Sequence, residues 1–423
     1  MAMWISVAIF VAAYVLIIWD RFDRAIVALS GASLMILCRI LNQENALKEI
    51  DFNTIGLLIG MMIIVAITKR SGVFEYMAVK MVKIAKAEPI KVIIILSLAT
   101  GILSALLDNV TTILLILPVT LSISKDLKIS PIPFIIAEIF ASNIGGTATL
   151  VGDPPNILIG SAVGFSFLDF LKNNGPVILP MLLIVASIFA FVFRKKLVAD
   201  KEVKASVMML NENDYIKDKK LMIKSLSVLA AVIIAFILHG VLKYDSATVA
   251  MSGAVLLFFI SGAKTEKIVH EIEWKTIFFF IGLFILVGGI KSTGVINMLA
   301  DQVLNLTHGD IVLAAIAILW VSAIASAFID NIPFVTTMIP LIKHLGEISG
   351  MSITPLWWAL SLGACLGGNG TIIGASANVI AVGMAEEHGV KITFRKYFKV
   401  AFPIMLLTIV FATVYMLIAY IRV

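Results

Sequence analysis

"LLDNVTTILLILP", Leu106 to Pro118, sets an aspartate and an asparagine at the mouth of an otherwise apolar run, and "FIDNIPFVTTMIP", Phe328 to Pro340, does so again. Around both lies a chain of 423 residues that is 60% hydrophobic and 14% charged, with a mean hydropathy of +1.05. A water-soluble fold of this length would lack the polar residues to cover itself, so the composition fits an all-α polytopic membrane protein. A carboxylate near the bilayer centre costs roughly 2.5–3.5 kcal/mol on insertion scales, so one that persists there faces an aqueous site or a partner.

Apolar segments recur at 3–19, 25–40, 54–68, 91–107, 131–144, 156–171, 177–193, 225–242, 247–262, 276–290, 311–329, 354–366, 372–385 and 400–420. Several approach the ~20 residues that cross a hydrocarbon core, and the shorter ones suit half-helices or re-entrant arms. No Lys or Arg precedes the first apolar run, which reads as a membrane helix and not as a secretory leader. Cys38 and Cys365 lie in apolar segments without metal or disulfide spacing, and the five histidines are scattered. No cofactor or metal is therefore expected beyond a coupling sodium ion or proton. The net charge of +6 suits cytoplasmic loops and requires no nucleic acid. No nucleophile/base pair, metal motif or nucleotide loop points to an enzyme, and ATP-driven export would need a separate ATPase subunit.

The spacing of the two acidic stretches, 330 − 108 = 222, aligns much of the chain with itself without a gap. Ala25, Ser30 and Gly31 fall on Ala247, Ser252 and Gly253; Thr54, Gly60, Lys69 and Gly72 fall on Thr276, Gly282, Lys291 and Gly294. "GGTATLVGDPPN" (145–156) falls on "GGNGTIIGASAN" (367–378). Positions 69–91 hold six Lys/Arg and the matching 291–313 only Lys291, so by the positive-inside rule the copies face opposite sides. The expected layout is two inverted repeats, 1–198 and 225–423, joined by a cytoplasmic linker at 199–224. The basic stretch 194–224 that contains the linker carries nine Lys/Arg against five Asp/Glu. Each repeat would hold five crossings, ten in all, and one re-entrant hairpin (91–124, 311–345), with a broken helix at 131–171 and 354–388. Inverted repeats are the architecture of secondary transporters, whose sites lie at the midplane between broken helices.

Candidate ion-binding residues follow from that layout. The hairpin tips offer Asp108, Asn109, Asp330 and Asn331, followed by Thr111 and Thr112 in one copy and Thr336 and Thr337 in the other. Asp and Asn are also good helix N-caps, which would aim a half-helix dipole at the site. In the broken helices Gly145, Gly146, Gly367 and Gly368 weaken the helix, and Asp153-Pro154-Pro155 interrupts it. Asn143, Thr147, Thr149 and Asn156, with Asn369, Thr371 and Asn378, supply amide, hydroxyl and carbonyl oxygens suited to hard cations. Close helix packing would account for the glycines but not for the Asn/Thr series. Asp108, Asp153 and Asp330 are the candidate coupling carboxylates. Asp153 matches Ala375, Glu138 matches Leu360 and Asn143 matches Cys365. Glu138 belongs either to the site or to a membrane edge, and Cys365 is either a metalloid contact or an apolar filler. Lys69 and Lys291 suit snorkelling at the interface.

"DNVTTILLILP" with "NIGGTATLVGDPPNILI" resembles the ion transporter superfamily, in its branch of arsenite permeases, the melanosomal P protein and NhaD-type sodium/proton antiporters. More distantly the chain is similar to dicarboxylate and citrate transporters, whose Ser-Asn-Thr tips fall on Asp108-Asn109-Val110 and Asp330-Asn331-Ile332. The resemblance implies an elevator mechanism, a homodimeric scaffold and a mobile domain of two hairpins and two broken helices. It also implies gradient-driven transport of a small inorganic ion, arsenite-like or, alternatively, by sodium/proton antiport, in a prokaryotic plasma membrane. Citrate/dicarboxylate uptake and a passive anion channel are further alternatives.

Overall fold

The computed structural model describes residues 2–19, 21–350 and 352–420, all of it helix, turn and loop. The first copy contains α1 (Ala2–Trp19), α2 (Arg24–Leu37), α3 (Gln43–Lys48), α4 (Phe52–Lys69), α5 (Val73–Ile84), α6 (Pro89–Leu106), α7 (Asn109–Asp126), α8 (Ile132–Gly146), α9 (Pro154–Val163), α10 (Phe167–Asn173) and α11 (Gly175–Phe193). After α12 (Lys201–Met208) come α13 (Lys219–Leu242), α14 (Ser246–Ser261), α15 (Thr265–Val269), α16 (Trp274–Ser292), α17 (Val295–Thr307), α18 (Ile311–Phe328), α19 (Asn331–Ser349), α20 (Thr354–Gly367), α21 (Ser376–Glu387) and α22 (Phe394–Tyr420). Adding 222 to α6, 89–106, gives 311–328, the bounds of α18, and adding it to α4, 52–69, gives 274–291 against 274–292 for α16.

Eight helices are long and apolar enough to cross a bilayer: α1, α4, α6, α11, α13, α16, α18 and α22. Of these, α6 and α18 are hairpin arms that stop just before Asp108 and Asp330, and α7 and α19 turn back from those tips. The ten crossings therefore need the shorter α2 and α14 and the interrupted pairs α8/α9 and α20/α21. Five crossings is an odd number, so each copy starts on the side opposite to the other. A 115° bend between α9 and α10 lays the latter across the end of its broken helix.

Small residues set the helix crossings, in the same way in both copies. A Cβ on Gly60 would lie 2.6 Å from the backbone of Ala250, and one on Gly282 would lie 2.5 Å from that of Ala28. These contacts cross α4 with α14 and α16 with α2, and with α1 and α13 the four helices form one helical group. Within the other group, a Cβ on Gly145 would meet Gly101 O at 2.0 Å, and one on Gly367 would meet Ala323 O at 2.4 Å. Here α6 lies on α8 and α18 on α20, flanked by α11 and α22. Such close backbone approach lets van der Waals contact hold helices together where lipid offers no hydrophobic driving force between them.

Two amphipathic helices, α5 and α17, do not show in the apolar segments of the sequence, because only one face of each is apolar. Both are entered through a left-handed glycine, Gly72 (φ +81°) and Gly294 (φ +79°). The linker docks on α5 through Lys83–Glu212 (2.5 Å), Lys217–Glu75 (3.3 Å) and, at its end, Lys204–Glu88 (3.0 Å). Helix α13 already begins at Lys219, within the charged stretch, because Asp218 caps it by accepting from Leu221 N at 2.9 Å; Lys224 donates to Ile260 O at 2.5 Å. Lys291 reaches Glu49 at 3.2 Å from a half-exposed position, as a snorkelling lysine does.

Candidate ion-binding site

The two hairpin tips meet on one carboxylate. Asp108 caps α7, accepting from Thr111 N at 2.8 Å and from the Thr111 hydroxyl. The next residue, Asn109, donates from Nδ2 to Asp153 Oδ1 at 3.2 Å, and Asn331 of the other tip donates to the same oxygen at 3.3 Å. Asp153 itself ends the break between α8 and α9, where Pro154 and Pro155 begin the new helix. Its Oδ2 is buried and has no partner among the described residues. A buried, unpartnered carboxylate oxygen requires an ion, a proton or water to complete it.

Behind this point runs an amide network. Asn143 accepts from Asn109 Nδ2 at 3.1 Å and donates to Asn369 Oδ1 at 3.0 Å and Asn378 Oδ1 at 2.9 Å, joining the two broken helices. The bond from Asn143 to Asn378 has its repeat mate in Cys365, whose Sγ lies 3.6 Å from Asn156 Oδ1. Cys365 is thus a buried member of the helix contact, hydrogen-bonding where its mate Asn143 does.

Several expected ligands serve the broken backbone instead. Asn156 Nδ2 donates to the carbonyls of Thr147 and Thr149, and Asn378 Nδ2 donates to those of Gly368 and Thr371, at 2.7–3.1 Å. Thr149 and Thr371 each donate at 2.5 Å to a carbonyl at the end of the neighbouring arm, Ala105 and Ala327. Gly145 and Gly367 sit at the helix crossings, while Gly146 and Gly368 face Gly152 and Gly374 across each break. Thr147, Thr336 and Thr337 bond to the carbonyl four residues back, as threonine does within helices. Thr337 also meets Tyr14 of α1, and Thr112 is buried away from the cavity. Thr149→Val and Thr371→Val should therefore each lower stability by about 1–2 kcal/mol, and by similar amounts, through one lost buried bond. Thermal unfolding of the purified protein checks this; loss of flux with unchanged stability would assign both hydroxyls to the ion instead.

A cavity of about 30 Å³ opens beside Asp153, lined by Asp108, Asn109, Asn331, Ser376, Thr276 and Glu273 among others. That is room for a small ion or a couple of waters. Glu273, just before α16, accepts from Thr276 at 3.1 Å, as its repeat mate Asp51 accepts from Thr54 at 2.7 Å. It brings a third carboxylate to the cavity, and 51 + 222 = 273 was the signal that could have found it. Asp330 is turned aside: Arg24, at the start of α2, reaches its Oδ2 at 2.8 Å, and Ser376 donates to the same oxygen at 2.8 Å. Arg24 escaped sequence reading because its repeat mate is Ser246. Beyond Thr276, Ile332 and Ser376 a vestibule of about 380 Å³ continues past Arg21, Arg24 and Lys275. Those three lie at the α1–α2 turn and at the starts of α2 and α16, at the ends that the charge pattern assigns to the linker side.

Comparison with known proteins identifies the family of the chain. A family model described as "Citrate transporter" matches residues 14–363. The uncharacterized transporter Rv2684 of Mycobacterium tuberculosis is 43% identical over 423 residues, covering 98% of both chains. The human P protein is 32% identical over 501 residues, which span 99% of this chain and 60% of that protein. Among solved structures, the Alcanivorax borkumensis YdaH transporter, described as having an unusual topology, aligns with a TM-score of 0.59 over 86% of this chain and 85% of its own. At 12% identity that likeness speaks for the fold alone. The chain is a multi-pass membrane protein and a secondary transporter, and it belongs to the citrate transporter family, CitMHS, of the ion transporter superfamily.

Proposed function

We propose that this protein exchanges a small cation, sodium in the first instance, for protons, by an elevator movement of the hairpins and broken helices against α1, α2, α4, α13, α14 and α16. The observation that carries the reading is the convergence of Asn109 and Asn331 on Asp153, in a cavity of about 30 Å³ that Asp108 and Glu273 also line. Carboxylate and amide oxygens favour a hard cation or a proton, and three carboxylates repel an anion. The elevator is supported by the separation into two helical groups and by Arg24–Asp330, an ion pair that bridges them.

A second reading is supported by the vestibule. Arg21, Arg24 and Lys275 would attract an anion such as arsenite or citrate, carried together with the cation. Proteoliposomes with imposed pH and sodium gradients separate the two. Sodium alone should move protons, reported by a trapped pH dye, with no anion added; flux seen only with arsenite or citrate present would overturn the first reading in favour of the second. A homodimer, expected for the scaffold, belongs to the same proposal and is tested by cross-linking in the membrane.

A further inference from the structure

Apart from Asp108, Asp153 and Asp330, the hairpins and broken helices enclose one more acid among the described residues. Glu138 of α8 is 1% exposed, enclosed by protein on all sides. Its Oε1 accepts from Thr120 Oγ1 of α7 at 2.5 Å, while its Oε2 is buried with no partner among the described residues. Among the described residues no charged group contributes to its electrostatic surroundings from the helices packed against α8, namely α6, α7, α11, α20 and α21, Glu386 and Glu387 at the end of α21 included. The fold does not require this pair. Adding 222 to 120 and 138 gives Ile342 and Leu360, so the other copy fills the same place with two apolar side chains. The surrounding hairpin shows the same contrast. Ser97 and Thr112, both buried with unpartnered hydroxyls, match Leu319 and Phe334. Buried polar atoms without partners on α6, α7 and α8 are where ordered water would be found.

We propose that Glu138 is a second proton-binding site, separate from the cavity at Asp153, which takes up and releases one proton as α7 and α8 shift against each other. The inference rests on the proton-coupled reading above. It follows from where the pair sits: Thr120 shares α7 with Asn109, and Glu138 shares α8 with Asn143, the two asparagines that bond at the site. With one hydroxyl donor and no cation, an ionised Glu138 is poorly compensated and favours separation of the two helices; the protonated form lets them close. Loading at Glu138 is thereby linked to the Asn109–Asn143 contact.

The test uses the full chain as wild type, Glu138→Gln, and the pair Thr120→Ile with Glu138→Leu, which copies the other repeat and keeps a folded comparison if the single variant fails. Infrared difference spectra between acid and alkaline buffer, with no substrate, should lose one buried carboxylic C=O band in both variants. In proteoliposomes, uptake of radiolabelled sodium driven by a pH gradient should fall about tenfold or more, while sodium/sodium exchange at equal pH persists. Wild-type driven uptake with wild-type pH dependence in a folded variant overturns the proposal. So does a C=O band unchanged by either variant. If the wild type itself moves no sodium under a pH gradient, the functional reading fails, and the infrared result alone then decides whether Glu138 binds a proton.

Discussion

Asp153→Asn is expected to reduce gradient-driven ion flux to about a hundredth of wild type or less, with the protein still folded. The two halves of that expectation come from different oxygens. Oδ1 is the structural one, accepting from both Asn109 and Asn331, and an asparagine carbonyl accepts in its place. Oδ2 is buried without a hydrogen-bond partner among the described residues, and an amide there replaces an acceptor and its charge with donors. Asp153→Ala separates the two effects. The backbone tolerates it, since Asp153 (φ −145°, ψ 132°) has nearly the conformation of its mate Ala375 (φ −148°, ψ 147°). Asn109 keeps its bond to Asn143, but Asn331 loses Asp153, so stability should fall by about 1–3 kcal/mol in addition to the loss of flux. Thermal unfolding and proteoliposome flux on the same preparations check both parts; Asp153→Asn protein that transports at the wild-type rate would remove Asp153 from the ion path.

The repeat was legible because rare residues, Asp-Asn tips, paired glycines and interrupting prolines, kept a constant offset that apolar similarity alone would not preserve. It gave the hairpins to within a few residues: arms at 91–107 and 110–124 are α6 and α7, 89–106 and 109–126. What it could not give is division of labour among polar side chains with the same sequence signature. Asn143 and Asn156 both stand in "NIGGTATLVGDPPN" and both reach the other broken helix, yet only Asn143 reaches a hairpin tip and only Asn156 closes the backbone of its own break. A hydroxyl or amide in an unwound segment satisfies either an ion or an orphaned carbonyl, and only the fold decides which. Arg24 and Glu273 were hidden for another reason. Each stands at the start of a scaffold helix, where a charged residue is ordinary, and becomes part of the site only when a hairpin tip from elsewhere in the chain arrives beside it.

Arg24→Ala is expected to destabilise the protein by about 3–5 kcal/mol, because it leaves Asp330 buried without its cation. The carboxylate is 1% exposed and the guanidinium 17%, so solvent does little to compensate the loss. Asp330→Asn removes the charge while its one carbonyl oxygen still accepts from Ile332 N, and should cost much less. Combining the two should then restore most of what Arg24→Ala lost, a coupling of about 3 kcal/mol, the upper end of the range for residues in contact, in a double-mutant cycle read by thermal unfolding. Additive losses would show that the pair contributes nothing as a pair. Flux through the doubly substituted protein answers a separate question, since stability is restored in it by construction. If Asp330 serves only to hold the tip against α2, removing both charges returns transport along with stability. If Asp330 carries the coupling ion once Arg24 lets go, transport stays lost in a stable protein. The elevator reading requires the pair to break in each cycle, because Arg24 belongs to one helical group and Asp330 to the other.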